Sequence, residues 1–196
     1  MARAMTTDED KLRALRREID AIDDSLHDLI IERTRVVERV REAKKGDKIK
    51  IRPAREAEIL YRLMARHSGA FPKRELSRMW REMIVATLRF EGPFSVSVFV
   101  SEDDVGYGDL ARDQYGSFTP MTRHVSSRAV IEAVSSGEAT VGILPMPRPD
   151  DSEHWWRLLV TEAPDSPRII ARLPFIAGDN SPGAKLDALV VGIVGQ

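Results

Sequence analysis

Arg33 interrupts an otherwise apolar seam. Leu12, Leu15, Ile19, Ile22, Leu26 and Leu29, then Val36, Val40 and Ala43, recur at spacings of three and four, and Arg33 stands in the gap after Leu29. A guanidinium on an inward helix face needs a partner or an anionic ligand. Arg33 therefore marks the centre of an anion site. Lys44 lies eleven residues on, close to three whole turns, and shares that face. Glu56 precedes Leu60 and Leu63 by four and seven residues, which puts it on the apolar face of a second helix. Thr87 and Glu91 follow Met83 and Ile84 at helical spacing and neighbour each other four residues apart. Arg52 and Arg55 open the second helix, close in sequence to Lys44. Together these groups describe a pocket with excess positive charge, edged by carboxylates and a hydroxyl. Such a pocket suits a small dianion, because arginine grips a carboxylate through two parallel bonds and lysine adds a point charge.

The chemistry on offer is binding and electrostatics. His27, His67, His124 and His154 are scattered without ligand spacing, there is no cysteine, and no Ser–His–Asp set is evident. No nucleophile, metal or cofactor is implied. Each residue also has a plain structural reading. Arg33 with Glu56 would make an interhelical ion pair, Lys44 a solvated helix end, and Arg52 and Arg55 surface charges. Thr87 would bond its own helix backbone and Glu91 would sit at a fraying end. The case for a site rests on their joint placement.

Three helices must position these groups. The first starts at Thr7 or Asp8, with acidic residues in its first turn, and runs to about Lys45, where Gly46 and Asp47 stop it. At roughly 1.5 Å per residue it is about 55–60 Å long. A seam of that length needs partner helices and a second protomer. The second helix begins near Arg52 with Pro53 at an early position and ends near His67 to Gly69. The third follows Phe71 and Pro72, carries an inward stripe of Leu76, Met79, Trp80, Met83, Ile84 and Leu88, and stops before Gly92 and Pro93. The pattern then changes. Phe94 to Val100 alternates like a strand, Ser126 and Ser127 can cap a helix over Arg128 to Ser135, and Thr140 to Leu144 reads as a strand. Arg168 to Leu173 and Ala188 to Val194 are further strands; Pro145 to Pro149 and Gly178 to Gly183 are loops. Two domains are expected: an all-helical one over 8–92 and a small α/β one over 93–196. Because the chain ends directly after a strand-like run, more residues are expected to have followed in a longer ancestor.

Composition narrows the classes. Of 196 residues, 42% are hydrophobic and 31% charged, which fits a protein with a real core, and a formal net charge of −1 supplies no basic field for nucleic acid. The lack of cysteine fits a reducing cytoplasm, and no signal peptide or membrane-spanning run is read.

Leu12-Arg-Ala-Leu-Arg-Arg-Glu-Ile-Asp-Ala-Ile-Asp, then Leu29-Ile-Ile-Glu-Arg33, Glu42-Ala-Lys44 and Arg52-Pro-Ala-Arg-Glu-Ala-Glu-Ile-Leu60, closely resemble the all-helical chorismate mutases over about Leu12 to Glu91. The likeness is strongest to the mutase domain at the front of bifunctional mutase–prephenate dehydratase proteins. It implies a three-helix domain in an intertwined homodimer, with each site completed by the partner's first helix. The implied substrate-binding residues are Arg33, Lys44, Arg55 and Glu56 of one protomer and Arg16 of the other, with Arg52, Thr87 and Glu91 at further family positions. Helix length supports the split: Arg16 and Arg33 are about 25 Å apart along a straight helix, too far to grip one small molecule in cis. The implied reaction is the rearrangement of chorismate to prephenate, on the route to phenylalanine and tyrosine, with no cofactor. Arg16, Arg33 and Arg55 would hold the carboxylates, Lys44 and Glu91 would donate to the ether oxygen, and Glu56 would accept from the substrate hydroxyl. A carboxyl donates only when protonated, so Glu91 would need a raised pKa. Two other readings stand beside this one: an isochorismate pyruvate-lyase on the same fold, and an inactive helical dimer with a ligand-binding tail.

The run from Arg128 through Gly137-Glu-Ala to Met146 resembles part of the dehydratase domain. The Glu-Asn expected after its strand is replaced by Pro147-Arg-Pro, and the Gly-Pro-x-Gly-Thr after the first strand by Ser101-Glu-Asp-Asp104. The family's later Thr-Arg-Phe is absent. The resemblance implies a degenerate dehydratase-like domain without that activity, serving to pack, to cover the mutase, to assist dimerisation or to bind a regulator.

Overall fold

The computed structural model describes residues 7–43, 51–101, 106–149, 151, 153–161, 163, 166–176 and 186–193, the side chain of Glu91 excepted. It divides into two compact units, 1–45 and 46–196. The first is one helix, α1 (Asp8–Ala43), of 36 residues. Thr7 caps it: the Thr7 hydroxyl donates to Asp10 Oδ2 at 2.7 Å and accepts from the Asp10 N–H at 3.3 Å. Asp8, Glu9 and Asp10 in the first turn complement the helix dipole. The expected seam is a continuous exposed stripe. Its leucine, isoleucine and valine positions from Leu12 to Val40 are between 41% and 59% exposed, and no residue of α1 is buried. The expected helix end at Lys45 and the loop through Lys50 lie outside the described residues.

Among its described residues the second unit holds four α-helices and a five-stranded mixed sheet. α2 (Pro53–Arg66) starts on Pro53, whose fixed φ and missing N–H suit a first helical position, and buries Glu56, Leu60 and Met64. α3 (Lys73–Leu88) follows Pro72 and passes into a 3-10 turn, Arg89–Glu91, ahead of Gly92. Then come β1 (Val96–Phe99), α4 (Tyr107–Tyr115), β2 (Met121–His124), α5 (Ser127–Ser135), β3 (Val141–Pro145), a 3-10 turn (Trp155–Leu159), β4 (Pro167–Leu173) and β5 (Ala188–Ile193). Strand order is β2-β1-β3-β5-β4. β1 is parallel to both neighbours, while β5 runs antiparallel to β3 and β4. α4 contributes Tyr107, Leu110, Ala111 and Tyr115 to one core with Val96, Val98 and Ile143. α5, capped by Ser126, contributes Val130, Ile131 and Val134 to a second with Leu144 and Val191. β3 runs so close to α5 that a Cβ on Gly142 would meet Val130 Cγ1 at 2.7 Å.

α4 and β2 were not expected. The region after Val100 has no strong apolar run; α4 is ordered by burial of its apolar face and β2 by its pairing with β1, rather than by propensity. α3 also differs from its expected orientation. Of the predicted stripe Ile84 is buried but Met79 is 53% exposed, whereas Ser77, Arg81, Val85 and Thr87 are buried. The reason is a polar face recurring at helical spacing. Arg78 Nη1 pairs with Asp113 Oδ1 at 3.4 Å, Glu82 Oε1 accepts from the Ser117 N–H and hydroxyl at 3.0 Å each, and Arg89 Nη2 donates to Thr119 Oγ1 at 3.4 Å. These contacts turn α3 onto α4 and the turn that follows it. Gly116 is required there: its φ is +81°, and a Cβ would lie 2.7 Å from Glu82 Oε2.

Candidate active site

Within the first unit, α1 carries Arg16 and Arg33. Arg16 is exposed; Arg33 is half-buried, and its Nη1 is buried without a hydrogen-bond partner among the described residues. Burial lowers its pKa from the usual value, the signature of a cation held out of water. Seventeen residues of straight helix, about 25 Å at roughly 1.5 Å per residue, separate the two guanidinium-bearing positions. Lys44 lies outside the described residues.

Within the second unit, the first turn of α2 brings Arg52, Arg55 and Glu56 together. Arg52, at the helix N-cap, and Arg55 are exposed, and Arg55 Nη1 donates to Glu58 Oε2 at 2.6 Å. Glu56 is 7% exposed, and its Oε1 is buried with no hydrogen-bond partner among the described residues. Burial pushes its pKa up to about 7. Near neutrality Glu56 is therefore divided between a carboxylate, which only accepts, and an acid, which can also donate. Thr87 on α3 is buried, and its hydroxyl donates to the carbonyl oxygen of Ile84 at 2.7 Å, with that of Met83 at 3.3 Å. Its one proton is thus taken by its own helix, while its oxygen remains an acceptor. Glu91 occupies the 3-10 turn after α3, with its side chain outside the described residues.

One buried titratable group was missed by the sequence reading. Tyr115, 1% exposed at the end of α4, has its pKa raised well above the usual phenol value by burial and, secondarily, by the charge of Glu56. The signal was present as Tyr107, Leu110, Ala111 and Tyr115, apolar and aromatic positions at helical spacing. Among the described residues no three acidic, histidine or cysteine side chains gather as metal ligands, and no helix is long and apolar enough to cross a membrane.

Residues 15–92 match the family model described as chorismate mutase type II. Three curated proteins similar to the chain each carry the name bifunctional chorismate mutase/prephenate dehydratase. That of Pseudomonas aeruginosa is 29% identical over 145 residues, covering 71% of this chain and 40% of the relative. That of Stutzerimonas stutzeri is 27% identical over 146 residues, with 71% and 40% covered, and that of Aquifex aeolicus 28% over 142 residues, with 70% and 39% covered. The chain thus spans about two fifths of the length of these relatives. Each match is longer than the family stretch and runs into the mixed-sheet region. No solved structure gives a significant match. Helical elements followed by a helix and mixed-sheet region carry this likeness, and residues 15–92 are a chorismate mutase type II domain.

Proposed function

We propose that the chain catalyses the intramolecular rearrangement of chorismate to prephenate, in aromatic amino-acid biosynthesis in the cytoplasm. The observation that carries this reading is Glu56: inside the matched stretch, a carboxyl 7% exposed leaves an oxygen without a hydrogen-bond partner among the described residues. An unpartnered buried acceptor is costly unless a ligand satisfies it, and the hydroxyl of chorismate would do so. Arg33 offers the complementary group, a half-buried guanidinium whose Nη1 lacks a partner among the described residues. In the reaction the ether C–O bond breaks as a C–C bond forms within one molecule, with no covalent intermediate and no proton transfer. Catalysis then consists of holding the compact conformer and stabilising charge on the ether oxygen. Arg33 and Arg55, with Arg16 of the second protomer, grip the carboxylates; Arg55 would leave Glu58 to do so. Lys44 and Glu91 donate to the ether oxygen, Glu56 accepts from the hydroxyl, and Arg52 and Thr87 complete the wall.

The working form is a three-helix homodimer, its helical domain spanning 8–92. The exposed apolar stripe of α1 supports that assembly, because such a stripe is stable in water only when covered. Residues 93–196 form a degenerate dehydratase-like domain that lacks dehydratase activity. The test is incubation of the purified chain with chorismate and identification of the product. Prephenate alone is expected. Phenylpyruvate under non-acidic conditions would refute the reading of the α/β region, and no consumption of chorismate would refute the mutase and direct the assay to isochorismate.

A further inference from the structure

α3 is held from one side. Arg78, Glu82, Val85 and Arg89 recur at spacings of four, three and four, which puts them on one face of the helix and its continuation. All four meet α4 or the turn that follows it. Arg78 Nη1 pairs with buried Asp113 at 3.4 Å, and Val85 shares a buried cluster with Tyr115. Glu82 Oε1 accepts from both the N–H and the hydroxyl of Ser117 at 3.0 Å, and Arg89 Nη2 donates to Thr119 Oγ1 at 3.4 Å. The turn that receives them is itself braced: Arg112 Nη1 donates to the Ser117 carbonyl at 3.0 Å, and the Thr119 hydroxyl donates to the Tyr115 carbonyl. Thr87 belongs to another face. At about 100° per residue it lies about 140° round the axis from Glu82 and about 160° from Arg89. Glu91 follows Thr87 by four residues, in the 3-10 turn that Arg89 opens.

We propose that Glu82 is a positioning residue for the mutase site: anchored on Ser117, it sets the rotation of the helix end that carries Thr87 and Glu91, and makes the α/β region a working part of the mutase. This rests on the mutase reading. Side chains extend roughly 5–6 Å from a helix axis, so a rotation of about 10° carries a group at that radius through about 1 Å. A misplacement of that size can cost a factor of about 100 in rate where a group must meet one atom of the transition state. The grip on one face of α3 therefore has a direct consequence for the other.

Glu82→Ala in the full chain leaves Ser117 without its acceptor. In that variant kcat for chorismate is expected to fall about tenfold with KM within about twofold of wild type, because a donor to the ether oxygen acts in the transition state. Glu82→Gln keeps an oxygen for both bonds and is expected to restore most of kcat. In a Glu91→Ala background, adding Glu82→Ala should lower kcat by less than about twofold, since the group being positioned is already gone. A loss of stability alone would lower activity by the same factor in both backgrounds. If Glu82→Ala does not fold, Ser117→Ala takes its place in the same cycle; it removes one of the two donors, and a loss of about threefold is expected. An unchanged kcat in the variant that folds, or an equal fractional loss with and without Glu91, overturns the proposal. A wild-type chain that does not consume chorismate overturns the mutase reading instead.

Discussion

Glu56→Gln exchanges a charge that folding has buried for a neutral group of the same shape. Glu56 titrates at about 7 when folded against a usual 4.5, because burial disfavours the carboxylate. Between those values the folded chain binds a proton that the unfolded chain has released. Stability therefore falls as pH rises from 4.5 to 7, and levels off above. At about 1.4 kcal/mol per pH unit the interval amounts to roughly 3 kcal/mol. Glutamine has no such dependence. The variant's stability relative to wild type should therefore improve by about 3 kcal/mol between pH 4.5 and pH 8, which is roughly 6–12 °C of melting temperature for a chain of this size. The assay is urea or thermal denaturation of both proteins at both pH values and one protein concentration, since assembly makes stability concentration-dependent. Activity should move the other way, because the charged acceptor for the substrate hydroxyl is gone. Parallel pH dependence of stability in the two proteins would refute the argument that Glu56 is held out of water.

Arg33→Ala should fold normally and lose about 30-fold or more in kcat/KM for chorismate, in line with about 2–5 kcal/mol for truncating a buried charge partner; full turnover would remove Arg33 from the site. Glu91→Gln should abolish the fall in turnover at high pH, since an amide donates at every pH whereas a carboxyl donates only when protonated; superimposable wild-type and variant profiles would exclude that role. Gly116→Ala should lower the melting temperature, because the position has φ +81° and a Cβ would press on Glu82 Oε2, and Glu82→Ala in the same chain should recover part of the loss. Calorimetry of the single and double variants decides this, and equal losses in both would show that the crowding is not felt.

Periodicity located α1, α2, α3, β1, α5, β3, β4 and β5 to within a few residues, because each is long or regular enough for its own pattern to dominate. The inward placement of Glu56 was legible for the same reason: a charge at four and seven residues from Leu60 and Leu63 shares their face. The twist of α3 was not. Its apolar stripe suggested Met79 as core, but Arg78, Glu82 and Arg89 form a second, polar face whose partners lie 30 residues or more away in the chain.

Residue type and spacing by themselves determined where α1, α2 and α3 lie, and that the pattern from Leu12 to Glu91 resembles the mutase family. Both properties live within one turn or one helix face, where sequence distance and spatial distance agree. Only the tertiary structure decided that Glu56 is buried enough to titrate near neutrality, that Thr87 spends its proton on its own helix, and that Tyr115 is buried at the end of α4. Those depend on desolvation by distant segments. The free energy of a charge is governed by everything that displaces water around it, and no local pattern records what will be folded against it.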